Sequence, residues 1–175
     1  MTEMTATVIA RRFRSMVRKA TPGDIATAAL WYVEAESIAR EIAGGDVEIG
    51  ASVISAFSPR QRWATNVAHA RAFMACDEVR TLGNNLRMAH NALNLGFDAL
   101  NGLKTNAFAR AIAGDPNAVV VDVWMMRAAG FEHDSPNVTQ YRMVVEAVNR
   151  ISRETGLEPR VAQALIWILQ RGEAF

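Results

Sequence analysis

Gly114-Asp115-Pro116-Asn117-Ala118-Val119-Val120-Val121-Asp122-Val123-Trp124-Met125-Met126-Arg127 is the stretch on which the fold class turns. Its first four residues are a strong turn signal, combining a glycine, a proline and two side chains that bond their own backbone. The three valines have the β-branched composition of a strand. They stand alone, however, and a single strand has no partner for its backbone groups. The segment therefore reads as a buried lead-in to a helix running from Asp122 to Ala129, and the chain reads as all-α.

The rest of the sequence agrees. Val8, Ile9, Phe13, Met16 and Val17 recur at helical spacing, with arginines on the other face. Thr21-Pro22-Gly23-Asp24 stops that helix and starts another, on which Trp31, Ala35, Ile38 and Ile42 line one face until Gly44-Gly45. Asp46 is placed to cap a short buried helix through Ile49, Val53 and Ile54, ending near Ser58-Pro59. Trp63, Val67, Ala70, Phe73 and Met74 mark the next, and Leu86, Ala89, Leu93 and Leu95 another, stopped by Gly96. Further helices are predicted around Ala107–Ala113 and over roughly Thr139–Thr155 and Glu158–Arg171, the last two separated by Gly156. The expected architecture is a two-lobed bundle of eight to ten short helices without repeats. It comprises a basic N-terminal helix (1–20) and a single helical domain (21–175), the latter carrying a hairpin and catalytic-type segment over 97–129.

Composition narrows the function. The chain has 175 residues, half of them apolar and 21% charged, the balance of a globular protein. No apolar run reaches the ~18 residues of a membrane span, and arginines 11, 12 and 14 break up the region where a secretory leader would have its apolar core. Cys76 is the only cysteine, which excludes an internal disulfide, a four-cysteine zinc site and a cysteine-ligated iron–sulfur cluster. His69, His90 and His133 show no ligand spacing. The expectation is a cytoplasmic protein without a metal, cofactor or membrane partner. No Ser-His-Asp arrangement, phosphate-binding Gly-x-x-x-x-Gly-Lys loop or dinucleotide fingerprint is present.

The net charge of +1 conceals a sorting along the chain: +4 over residues 1–20, −5 over 21–50, +4 over 51–110 and −2 over 111–175. Basic blocks of this kind permit a nucleic-acid face without requiring one. Only Lys19 and Lys104 of the 19 basic residues are lysines. In an arginine-rich chain, a lysine raises the question of what an amine does that a guanidinium cannot. Lys104 follows Gly102 at a helix start, where unpaired backbone N–H groups can meet a phosphate. Asp122 lies 18 positions further on, after the three valines. By itself Lys104 reads as a helix-start lysine or a phosphate contact, and Asp122 as an N-cap. Arg127 reads as an ion-pair partner. Arg60, Arg62 and Trp63 read either as a groove contact or as a solvated helix start with the indole in the core.

Together, Gly102-Leu103-Lys104-Thr105, Val121-Asp122 and Arg127 resemble the signature of the helix-hairpin-helix DNA glycosylases of the endonuclease III type. Ile54-Ser55-Ala56 with Ser58-Pro59 and the late Ala164-Leu165-Ile166-Trp167 are similar to further elements of that family, in the same order. The resemblance covers roughly residues 24–171 and is strongest over 102–127. It implies that Lys104 attacks the sugar C1′, expels the base and forms a Schiff base, while Asp122 stabilises the developing positive charge. Such a nucleophile must be an unprotonated amine, favoured by burial or a cationic neighbour. The resemblance also implies DNA contacts from Gly102, Leu103, Thr105, Arg60, Arg62 and Arg127, with Phe57 at the base-probing position. The partner would be double-stranded DNA carrying a modified or mispaired base, with or without strand cleavage. The chain departs from the family in lacking the first hairpin glycine and the iron–sulfur cysteines. It also has Val123-Trp124 where Thr-His is common. These departures keep three other readings open: a DNA-binding scaffold without chemistry, an enzyme that processes modified bases, and a protein-interaction domain. The base and the oligomeric state are not specified.

Overall fold

The computed structural model describes residues 4–172. They form nine α-helices and one 3₁₀ turn, with no strand among the described residues. In chain order these are α1 (Ala6–Val17), α2 (Pro22–Ile42), α3 (Val47–Phe57), α4 (Trp63–Met74), α5 (Gly83–Leu95), the 3₁₀ turn Gly96–Ala99, α6 (Leu103–Ile112), α7 (Val123–Ala129), α8 (Val138–Thr155) and α9 (Pro159–Arg171). The all-α expectation holds. None of these helices is long and apolar enough to cross a membrane.

The ends of the helices follow local chemistry. Thr5, Asp46, Asp122 and Asn137 each accept an amide from the first turn of α1, α3, α7 and α8. Asn137 and Gln140 form a full capping box. Gly130 and Gly156 close α7 and α8 in left-handed geometry.

The chain divides into two compact units. Among the described residues, one comprises 4–31 together with 116–172, and the other is Tyr32–Asp115. The basic helix α1 therefore groups with the C-terminal helices. The reason is its apolar stripe: Ile9, Ala10 and Phe13 are buried with Met125, Met126, Val144, Val148 and Ile166 in the core of that unit.

In the other unit α3 is the central element, buried continuously from Gly50 to Phe57 and packed on α4, α5 and α6. An apolar helix with Ala51, Ser52, Ser55 and Ala56 among its buried positions lets neighbours approach closely. The tightest approach is at Gly50, where a side-chain carbon would overlap the backbone carbonyl of Ala39 on α2. The buried line on α2 is Ala28, Tyr32, Ala35 and Ala39, offset from the expected one: Trp31, Ile38 and Ile42 are only half-buried. At Ala39 the small side chain suits the close approach of Gly50 on α3.

Gly50→Ala is expected to destabilise by at least about 2 kcal/mol, since backbone cannot move aside as a flexible side chain can. For a chain of this size the melting temperature would fall by roughly 4–8 °C. Gly83→Ala is the control: nothing lies within 4 Å of the added carbon there. Thermal unfolding followed by circular dichroism compares the two.

Candidate functional site

In the Tyr32–Asp115 unit, the hairpin between α5 and α6 turns on Gly96, with φ 51°. A side chain at Gly96 would collide with the carboxylate of Glu48, whose Oε1 accepts the Phe97 amide at 3.3 Å. Asn106 clamps the turn from α6, its Nδ2 donating to Phe97 O at 3.0 Å and to Leu100 O at 3.2 Å. Sequence reasoning missed Glu48 and Asn106 because their partners are set by tertiary structure. It also placed the decisive glycine at Gly102, which has an ordinary φ of −83° and serves as the N-cap of α6.

Gly102 brings no side chain to cap α6. The Thr105 hydroxyl turns back to donate to Gly102 O at 3.1 Å, and Thr105 O accepts the buried Ser55 hydroxyl at 2.7 Å. Thr105 is thereby a buried fastening between α3 and α6, and only its backbone remains for the phosphate contact expected of it. Leu103 is exposed. Lys104 lies in the first turn of α6, half-buried, with no hydrogen bond or ion pair to its amine among the described residues. Lys19, the other lysine, is exposed.

The Phe57 expectation is corrected. Phe57 is 0% exposed, edge-on to Phe73 at 5.5 Å and to His69 at 6.0 Å, and has no surface to present to DNA. It is the last residue of α3, facing the core like those before it. Arg60 and Arg62 lie outside the core, and Arg60 holds a left-handed φ of 62°. Trp63 starts α4 and meets Phe108 at 6.4 Å, the packing role weighed for it. A surface cleft of about 210 Å³ beside the hairpin is lined by Val47, Glu48, Phe97, Arg110, Ala113 and Asp115. None of the expected site residues lines it.

In the other unit, the three valines are held as the lone-strand argument requires. Tyr141 on α8 donates its phenol to Val119 O at 2.9 Å. Asp122 then caps α7, Oδ1 accepting the Met125 amide at 3.0 Å, while Oδ2 accepts the Trp167 indole N–H at 2.9 Å. Asp122 is half-buried. Trp167 meets Trp31 edge-on at 6.4 Å and carries Arg171 over its face at 4.8 Å. Arg127 pairs with Asp134 at 3.2 Å and lies over Trp124 at 4.9 Å, as its reading as an ion-pair partner requires. No group of three or more metal-ligating side chains occurs among the described residues.

A profile described as a family of unknown function, DUF7178, matches residues 1–174. The chain belongs to the DUF7178 family. No curated protein and no solved structure matches it.

The surroundings of Asp122 make two expectations measurable. Asp122→Asn keeps the capping oxygen but turns an NH2 donor towards the Trp167 N–H, and is expected to cost about 1 kcal/mol. Asp122→Ala loses the cap and strands the Trp167 N–H, a combined cost of about 2 kcal/mol measurable by denaturant titration. The second concerns alkaline pH. Burial, opposed by a backbone hydrogen bond from Val121 and reinforced by the Asp122 charge, pushes the Tyr141 phenol up to about 12. An unfolded tyrosine ionises near 10, so the unfolded state loses its proton first. The contribution is intact below pH ~10 and declines towards pH ~12, by on the order of 2 kcal/mol. Tyr141→Phe should flatten that part of the stability–pH curve.

Proposed function

We propose that this protein is a glycosylase-like DNA-binding enzyme that removes a modified or mispaired base, with Lys104 as its nucleophile. The observation that carries the reading is the setting of Lys104: a half-buried residue in the first turn of a helix whose N-cap has no side chain, with no hydrogen bond or ion pair to its amine among the described residues.

In the proposed reaction the neutral Nζ attacks C1′ of the nucleotide. The bond between C1′ and the base breaks, and its electron pair leaves with the base nitrogen, which takes up a proton. The sugar ring then opens, its oxygen collecting a proton, and the nitrogen lone pair forms the Schiff base. The target nucleotide must leave the stack for C1′ to be reached. The uncapped start of α6 is suited to a phosphate oxygen.

A second reading, a DNA-binding scaffold without chemistry, is favoured by one observation. Both carboxylate oxygens of Asp122 already serve structure. The two readings differ in covalent chemistry. Borohydride reduces a Schiff base to a stable secondary amine, so wild type incubated with duplexes carrying candidate damaged or mispaired bases should be trapped on one of them. Lys104→Gln should lose trapping while retaining salt-dependent duplex binding. Salt-dependent binding with neither trapping nor base release from any substrate would establish the scaffold reading. Absence of duplex binding at low salt would remove both.

A further inference from the structure

Helix α1 carries a run of like charges that its own sequence does not balance. Thr7, Arg11, Arg14 and Arg18 are spaced by four, three and four residues, which sets them on one face, and α1 contains no acidic residue. Like charges at such spacings destabilise a helix by roughly 0.2–0.5 kcal/mol per pair. Arg12 points elsewhere: its guanidinium lies against Gly130 at the C-terminal end of α7.

The stripe runs along α8, whose Glu146, Arg150 and Arg153 share a face by the same spacing. Two interactions join the helices along this seam. Arg14 forms a two-point ion pair with Glu154, and Arg150 Nη1 donates to Thr7 Oγ1 at 2.8 Å. Arg150 and Arg153 both reach Glu146, at 2.9 and 3.7 Å. Glu154 feels Arg14, Arg18 and Arg153 together, its carboxyl held below the ordinary value first by the Arg14 hydrogen bond. Five guanidiniums thus share a seam with two carboxylates, and the side chains of Arg11 and Arg18 have no ion-pair partner among the described residues.

We infer that the α1–α8 seam is a docking surface for the phosphate backbone of duplex DNA, separate from the α6 start. This rests on the DNA reading above and extends it to a second, sequence-independent contact. Guanidinium groups are suited to bidentate phosphate binding. Arg11 to Arg18 spans about 10 Å along the helix, room for about three phosphates at the rise of one strand. No large apolar side chain of α1 is exposed, so the stripe lacks the wedge with which a helix enters a lipid interface.

The test is the salt dependence of binding to a labelled duplex, followed by anisotropy, for wild type, Arg11→Gln/Arg18→Gln and Arg80→Gln/Arg87→Gln. The last pair removes the same charge from positions in the other unit. Circular dichroism checks that each variant is folded. The seam variant should weaken binding at least tenfold at low salt and reduce the log–log salt slope by roughly 2, about one for each phosphate that a removed guanidinium had neutralised. The control pair should leave the slope near wild type. An unchanged slope in the seam variant, or an equal fall in the control, overturns the inference. So does phosphatidylserine vesicle binding that is lost in the seam variant while duplex binding persists. Lys104 trapping that survives an unchanged seam slope would sink the seam alone. A reduced slope without any trapping would sink the chemistry alone.

Discussion

The carboxylate of Asp122 is divided between two helices: one oxygen takes the Met125 amide in the first turn of α7, the other the indole of Trp167 on α9. This division governs how the C-terminal unit is assembled. The preceding valines arrive extended, and their backbone groups have no sheet to join. Tyr141 meets Val119, and the buried side chains of Val119 and Val121 enter the core shared by α1, α7, α8 and α9. An extended segment, a cap and an aromatic anchor thus converge on one turn of chain. A neutral residue at position 122 could cap α7, but it could not keep a charge fixed at that turn.

How much of this was legible in the sequence differs by the range of the interaction. Helix ends were readable because they are local: Asp46, Asp122 and Gly156 act within a few residues of themselves. The strand-like valines were readable by elimination. The partner of Asp122 was not, since Trp167 lies 45 positions away and a tryptophan in an amphipathic helix reads simply as core. Gly50 and Gly96 were opaque for the same reason. Their lack of a side chain answers to Ala39 and Glu48, and a glycine does not announce which atom it makes room for. Phe57 was misplaced because likeness to a family's loop overrode its position at the end of a helix buried from Gly50 onward, where the core was the simpler destination.

The lysine and the aspartate stand differently in this respect. Asp122 is explained twice over by structure, as a cap and as an indole acceptor. Lys104 is explained by nothing in its own unit: it anchors no helix end, pairs with no carboxylate among the described residues and is not fully solvated. A residue that the fold does not use carries more functional information than one it uses fully. The case for chemistry accordingly rests on the amine.

The same reasoning applies to charge. Several arginines in this chain are matched by a near neighbour: Arg71 by Glu41, Arg127 by Asp134 and Trp124, Arg110 by Asn106 and Phe97. On α1 the matching fails, because the carboxylates available across the seam are fewer than the guanidiniums that face them. Exposed pairs such as Arg14 with Glu154 contribute little to stability, so the fold gains almost nothing by gathering these charges. Repulsion along the helix makes the gathering mildly unfavourable. A surplus that costs stability and is concentrated on one seam is what an anionic partner would relieve, and a polyanion would relieve it at several points at once.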